Sequence, residues 1–106
     1  MTSLGDPDAS ETASVRVTAS GDHWVVVGEI DLDSVDAFTD ALNMTVKADP
    51  GEVVLDMSQV GFMDSTGLRA LLAFHTAGHT VIVRDPSPQV RNLLELTHLD
   101  HVLSLE

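Results

Sequence analysis

Two short runs, EVVLDM (Glu52–Met57) and HTVIVRD (His79–Asp85), constrain the fold more than anything else in this chain. Both are rich in β-branched residues, and the first is almost wholly apolar, which suits strands buried in a parallel sheet, the first of them on both faces. Each is followed by a segment with helical spacing. Parallel neighbours need a crossover connection, usually a helix, and within one sheet crossovers are right-handed. The chain is thereby directed to an α/β architecture.

The remaining segments fill in that plan. SVRVTAS alternates Val15 and Val17 with polar neighbours, as a half-exposed edge strand does, and Gly21–Asp22 supply a turn into HWVVVGEI. So short a connection makes these two strands an antiparallel hairpin. Val35, Phe38, Leu42 and Val46 recur at spacings of three and four, predicting the buried stripe of a helix. Asp33 or Ser34 should cap it, and Pro50–Gly51 should end it. A loop, SQVGFMD, is expected after Glu52–Met57. A second helix is predicted from about Ser65 to Thr76, with Leu68, Leu71, Leu72 and His75 on one face and Gly78 ending it. A third helix starts at a Ser87 cap with Pro88 in the first position, and Val90, Leu93, Leu94 and Leu96–Thr97 form its buried side. HVLSLE closes the chain as a short strand.

The expected order is β-β-α-β-α-β-α-β: a mainly parallel sheet with an N-terminal antiparallel edge strand. Three helices are too few to cover both faces fully, so one face should stay more open. Residues 14–106 form the domain. Residues 1–13, MTSLGDPDASETA, read as a disordered acidic leader rather than a signal peptide, since they contain no base and no apolar core.

Composition removes several functional classes. The 106 residues carry 17 acids against 5 bases, a formal charge of −12, which excludes the basic stripe that nucleic acid requires. Glu29, Asp31, Asp33, Asp36 and Asp40 fall in a stretch without a base, an acidic face suited to a basic protein partner. No cysteine is present, so thiolate metal sites and cysteine nucleophiles are excluded. The absence of an export signal reads as cytoplasmic, and no apolar run is long enough for a membrane span.

The chemistry is concentrated in VGFMDSTGLRALL, Val60–Leu72. Ser65 follows Asp64 and precedes Thr66–Gly67 where helical periodicity begins. As a catalytic nucleophile it has no base in a recognisable relation to it, and Met63 occupies the place of the first glycine in the G-x-S-x-G elbow. His75 and His79 have i,i+4 spacing, but Gly78 breaks the helix between them, and no third metal ligand converges. Neither a Walker loop nor a G-x-G-x-x-G fingerprint occurs. Asp56 ends a strand as a phosphoacceptor aspartate would, yet the only lysine, Lys47, lies on the first helix. Two readings of Ser65 remain open: a helix cap, or a hydroxyl presented for modification, with backbone N–H groups of the helix start holding a phosphate.

GEIDLDSVDAFTDAL, VVLDMSQVGFMDSTGLRALL and VIVRDPSPQVRNLLELTHLDHVLSL resemble, in order and spacing, the STAS domain proteins called anti-sigma factor antagonists. The resemblance implies a non-enzymatic regulator without a cofactor. Its partner would be an anti-sigma factor that is also a serine kinase of the GHKL type, and binding would release the sigma factor. It also implies that the kinase phosphorylates Ser65 and so ends binding, and that a PP2C-type phosphatase restores it. Asp31, Asp64, Ser65, Thr66 and Gly67 are carried over as the partner-binding residues, with Asp31 close to the serine. The segment between Leu68 and Thr80 is shorter than usual in such proteins, which would cost the second helix its last turn. The alternative is a STAS module serving as a scaffold or small-ligand sensor, with Ser65 only a cap. Oligomeric state stays open.

Overall fold

A computed structural model describes residues 15–48 and 51–105. The leader at 1–13 and Pro50, expected to help end the first helix, lie outside the described residues. The order is β1 (Val15–Ser20), β2 (His23–Ile30), α1 (Val35–Ala48), β3 (Glu52–Met63), α2 (Ser65–Thr76), β4 (Thr80–Arg84), α3 (Pro88–Leu96), a 3-10 turn (Leu99–His101) and β5 (Ser104–Leu105). The sheet order is β1-β2-β3-β4-β5. β1 pairs antiparallel with β2, and every later pair is parallel. The expected α/β order and sheet are therefore observed, with the β1–β2 turn made by Gly21 at φ 65°.

The two faces of the sheet differ. Val26, Val53, Leu55, Met57, Val81 and Val83 alternate onto one face and are buried under the helices. Their neighbours Val25, Val27, Val54, Ile82 and Arg84, on the opposite face, are only half-buried. Glu52–Met57 is thus not buried on both sides as its composition suggested: Val53, Leu55 and Met57 face the core, while Glu52, Val54 and Asp56 face the sheet side that stays more open. Phe38 and Leu42 of α1, Leu68, Leu71 and Phe74 of α2, and Val90 and Leu94 of α3 complete the core. Each fully buried Leu or Phe contributes about 1.5–3 kcal/mol of apolar transfer.

Several expectations need correction. SQVGFMD is not a loop: β3 continues without interruption to Met63. The strand passes the end of its pairing with β4 at Asp56 and goes on pairing with β2. Irregular register near Val25–Val27 and Gly28–Glu29 breaks the two-residue alternation by which a strand is recognised. Asp56 Oδ1 accepts bonds from the Ser58 N–H (2.9 Å) and hydroxyl (2.7 Å) within this stretch. In α2 the buried stripe runs through Phe74, while Leu72 and His75 are half-buried. α2 itself runs from Ser65 to Thr76, the limits its periodicity predicted. Leu96, expected in the core, is 71% exposed, because α3 ends there and the chain turns away through His98 at φ 62°.

Candidate functional site

The residues around Ser65 meet because β2 and β3 are parallel and end together. Ile30 and Met63 are register partners. Asp31 and Asp64 each follow by one residue, so two acids leave adjacent strand ends about 4.8 Å apart. Both strands then feed helices, and the starts of α1 and α2 lie at the same end of the sheet. The carboxyl ends of parallel strands are where open α/β sheets place their sites.

The two connecting loops are tied together. The Asp64 N–H donates to Ile30 O at 3.1 Å. The Asp64 carboxylate accepts from the Thr66 N–H at 2.9 Å and the Gly67 N–H at 3.3 Å. It also accepts a short bond from the Thr66 hydroxyl. The Thr66 hydroxyl does most to hold the Asp64 carboxyl below the ordinary carboxylate range; desolvation opposes it, and the N–H groups of Gly67, Thr66 and Leu32 reinforce it. Across the gap, Asp31 Oδ1 accepts from the Asp33 and Ser34 N–H groups, each at 3.1 Å, and from the Ser34 hydroxyl at 3.2 Å. That hydroxyl donates to Glu29 O at 2.8 Å and accepts from the Asp31 N–H at 2.9 Å. Ser34 thus starts α1 through its carbonyl, which accepts from the Phe38 N–H, while its side chain faces back into the loop.

Ser65 is not the cap. Asp64 has the extended backbone of an N-cap and supplies the capping carboxylate, so Ser65 is the first residue of the helix proper. It is exposed. Among the described residues its hydroxyl makes no hydrogen bond. The N–H groups expected to hold a phosphate are already taken, since those of Thr66 and Gly67 donate to Asp64. Thr66 is half-buried with its hydroxyl engaged.

Gly67 is buried, and its role is one of space. A Cβ there would stand 2.5 Å from Ile30 Cγ2 and 3.0 Å from Met63 Cγ. Ile30 is fully buried and cannot yield. The glycine lets α2 begin directly against the paired strand ends, which fixes the height at which Ser65 emerges.

Two features were missed in the sequence. Leu32, between Asp31 and Asp33, is 72% exposed and gives the acidic loop an apolar tip; its isolation from any apolar period was the available signal. Beside Ser65 lies a shallow depression of about 170 Å³ lined by Leu68, Arg69, Leu72, Thr97 and Leu99. It joins α2 to a segment thirty residues later, a juxtaposition that depends on how α3 packs on β3. Among the described residues no group of three or more potential metal ligands occurs, and no helix is long and apolar enough to cross a membrane.

The STAS domain model matches residues 19–106. An anti-sigma factor antagonist from Mycobacterium paratuberculosis is 32% identical, with 86% of this chain and 82% of that one covered and a TM-score of 0.66. A Thermotoga maritima protein superposes with a TM-score of 0.67 at 17% identity, covering 86% and 84% of the two chains. SpoIIAA of Bacillus superposes in its unphosphorylated form (TM-score 0.63, 18% identity, 87% of each chain). Its phosphorylated form does so at 0.58 and 17%, covering 87% and 90%. A comparison with curated protein sequences finds no match. The chain belongs to the STAS domain family and, within it, to the anti-sigma factor antagonists, which are non-enzymatic regulators.

Proposed function

We propose that this STAS domain binds an anti-sigma factor that is also a GHKL-type serine kinase, frees the sigma factor, and is released when that kinase phosphorylates Ser65. The supporting observation is the division of labour between Asp64 and Ser65. Asp64 satisfies the helix start, so the Ser65 hydroxyl stands exposed with no structural duty. In the transfer, Ser65 Oγ attacks the γ-phosphorus of the kinase's ATP. The new O–P bond forms as the bond to ADP breaks, and the hydroxyl proton passes to a base of the kinase. A PP2C-type phosphatase would return the hydroxyl by hydrolysis. The work is cytoplasmic and involves neither nucleic acid nor membrane.

The surface suits such a partner. Asp31 and Asp64 leave adjacent strands, Leu32 projects beside them, and Phe62 on β3 is 44% exposed. An exposed leucine among acids fits a basic groove with an apolar floor. A phosphate on Ser65 adds about −1.5 to −2 charges next to Asp64, with new bulk at the centre of the contact. Thr66, half-buried and bonded to Asp64, is the poorer acceptor. The sensor alternative gains little from the groove between α1 and α2. Lined by Thr39, Leu42, Asn43, Phe74 and His79 among others, it measures about 240 Å³. Ligand pockets usually run to about 300–1,000 Å³.

The deciding experiment combines pull-down and intact mass with the cognate kinase and ATP. Wild type should gain one phosphoryl group on Ser65 and lose its partner. Ser65→Ala should bind without gaining mass, and Ser65→Glu should bind poorly. Equal capture of both variants would overturn the switch, and no mass gain with a small molecule retained by the purified protein would favour the sensor.

A further inference from the structure

We propose that Arg69 receives the phosphate of phosphorylated Ser65, pairing with it across the first turns of α2. This rests on Ser65 being the phosphorylated residue. The need for a cation follows from the helix start. Phosphates at such positions are ordinarily held by free backbone N–H groups, but here the Thr66 and Gly67 N–H groups donate to Asp64. The phosphate would therefore stand beside the Asp64 carboxylate that caps the helix.

Arg69 is placed to answer that charge. It lies four residues after Ser65 on α2, and residues at that spacing are surface neighbours, about 5–6 Å apart at Cβ. Both line the same depression of about 170 Å³, which has room for a phosphate. Arg69 is exposed, and among the described residues it makes no ion pair, so no existing contact must break. The chain has only five Lys and Arg residues. Arg16, Lys47, Arg84 and Arg91 lie on β1, the end of α1, β4 and α3, and none of them lines this depression. A guanidinium can bond two phosphate oxygens at once, which favours Arg over Lys here. Two further ionisable groups belong to these surroundings: the Asp64 carboxylate at the helix start, and His98, between the lining residues Thr97 and Leu99.

The test reads the phosphate itself. Phosphoserine is installed at position 65 during translation, so the measurement does not depend on any kinase. The second phosphate pKa is then followed by phosphorus NMR in wild type, Arg69→Gln and Arg69→Lys. A nearby cation favours the dianion, so the wild-type value should lie below that of Arg69→Gln by about 0.5 unit or more, less than a buried pair would show. Arg69→Lys should retain part of the difference, and about 1 M salt should remove most of it. Identical titration of wild type and Arg69→Gln would overturn the clamp while leaving phosphorylation by a kinase untouched. Failure of every kinase to modify Ser65 would sink the switch while this titration still reads the clamp. Unphosphorylated Arg69→Gln should melt with wild type, which separates the effect from folding.

Discussion

The starts of α2 and α3 use serine in opposite ways. At α3, Ser87 is the cap itself: 9% exposed, its hydroxyl accepting from the Val90 N–H at 3.4 Å, its own N–H donating to Met57 O at 3.1 Å. Pro88 follows, where its missing N–H costs nothing. At α2 an aspartate caps, and the serine comes one position later, exposed and unbonded among the described residues. Ser34, before α1, is 2% exposed and sides with Ser87, its hydroxyl accepting from the Asp31 N–H and donating to Glu29 O in the loop. A single step along the chain separates a serine that holds the fold from one that the fold holds out. The acid at Asp64 permits that step, because it meets the helix's demand for an acceptor.

Substitutions at these positions should separate the two kinds of serine, and Ser34 should show the largest effect. Ser34→Ala removes the hydroxyl that donates to Glu29 O and accepts from the Asp31 N–H in a half-buried loop, costing about 1–3 kcal/mol. For a domain of this size each kcal/mol lowers the melting temperature by about 4–8 °C. A melting temperature within 2 °C of wild type, allowing about 0.5 kcal/mol, would show the loop is not held by that hydroxyl. Next comes Asp64→Ala, which removes an N-cap and should cost about 1–2 kcal/mol by urea denaturation.

Asp64→Asn sharpens the contrast by keeping a capping side chain and deleting the charge. The Asp64 carboxyl titrates below its ordinary value when folded. Its contribution is therefore fully present above the unfolded carboxylate range, about pH 4, and is lost as pH falls through the depressed value. The stability advantage of wild type over Asp64→Asn should be largest near neutrality and shrink on acidification. A constant difference from about pH 7 to pH 2 would show that charge is not what Asp64 supplies. Ser87→Ala ranks below both, at about 0.5–1 kcal/mol, because its 3.4 Å bond is long for a cap.

The sequence shows the fold and the site unevenly, for physical reasons. β4 and the limits of α2 were legible because a β-branched run and a helical period are local signals. The second half of β3 was not, since its pairing to β2 crosses register irregularities and its buried residues, Val60 and Met63, are spaced three apart. Asp31 and Asp64 could be matched to a family pattern, but what sets them side by side is the pairing of Ile30 with Met63, a contact between distant segments. The cap at Asp64 was within reach of local reasoning, because Asp and Ser are both strong caps and the residue sequence D-S-T-G leaves two candidates. Only the backbone, extended at Asp64 and helical from Ser65, decides between them. The meeting of Ser65 and Arg69 with Thr97 and Leu99 has no local signal at all.

Ser65→Ala should be the least consequential of the set for stability, and that small number carries the most weight. Its hydroxyl bonds to no described group, and alanine is a better helix former than serine, so the melting temperature should stay within about 3 °C of wild type or rise slightly. A loss comparable to Ser87→Ala would mean the hydroxyl is a structural bond after all, and the contrast between the two helix starts would collapse. If stability is unchanged while the variant is no longer released from the kinase partner proposed above, the two properties are carried by different residues of one turn. The fold then rests on Asp64, and Ser65 can cycle between hydroxyl and phosphate without the domain unfolding or refolding around it. A switch that must be thrown repeatedly needs that separation: the modified atom must matter to the partner and hardly at all to the fold that presents it.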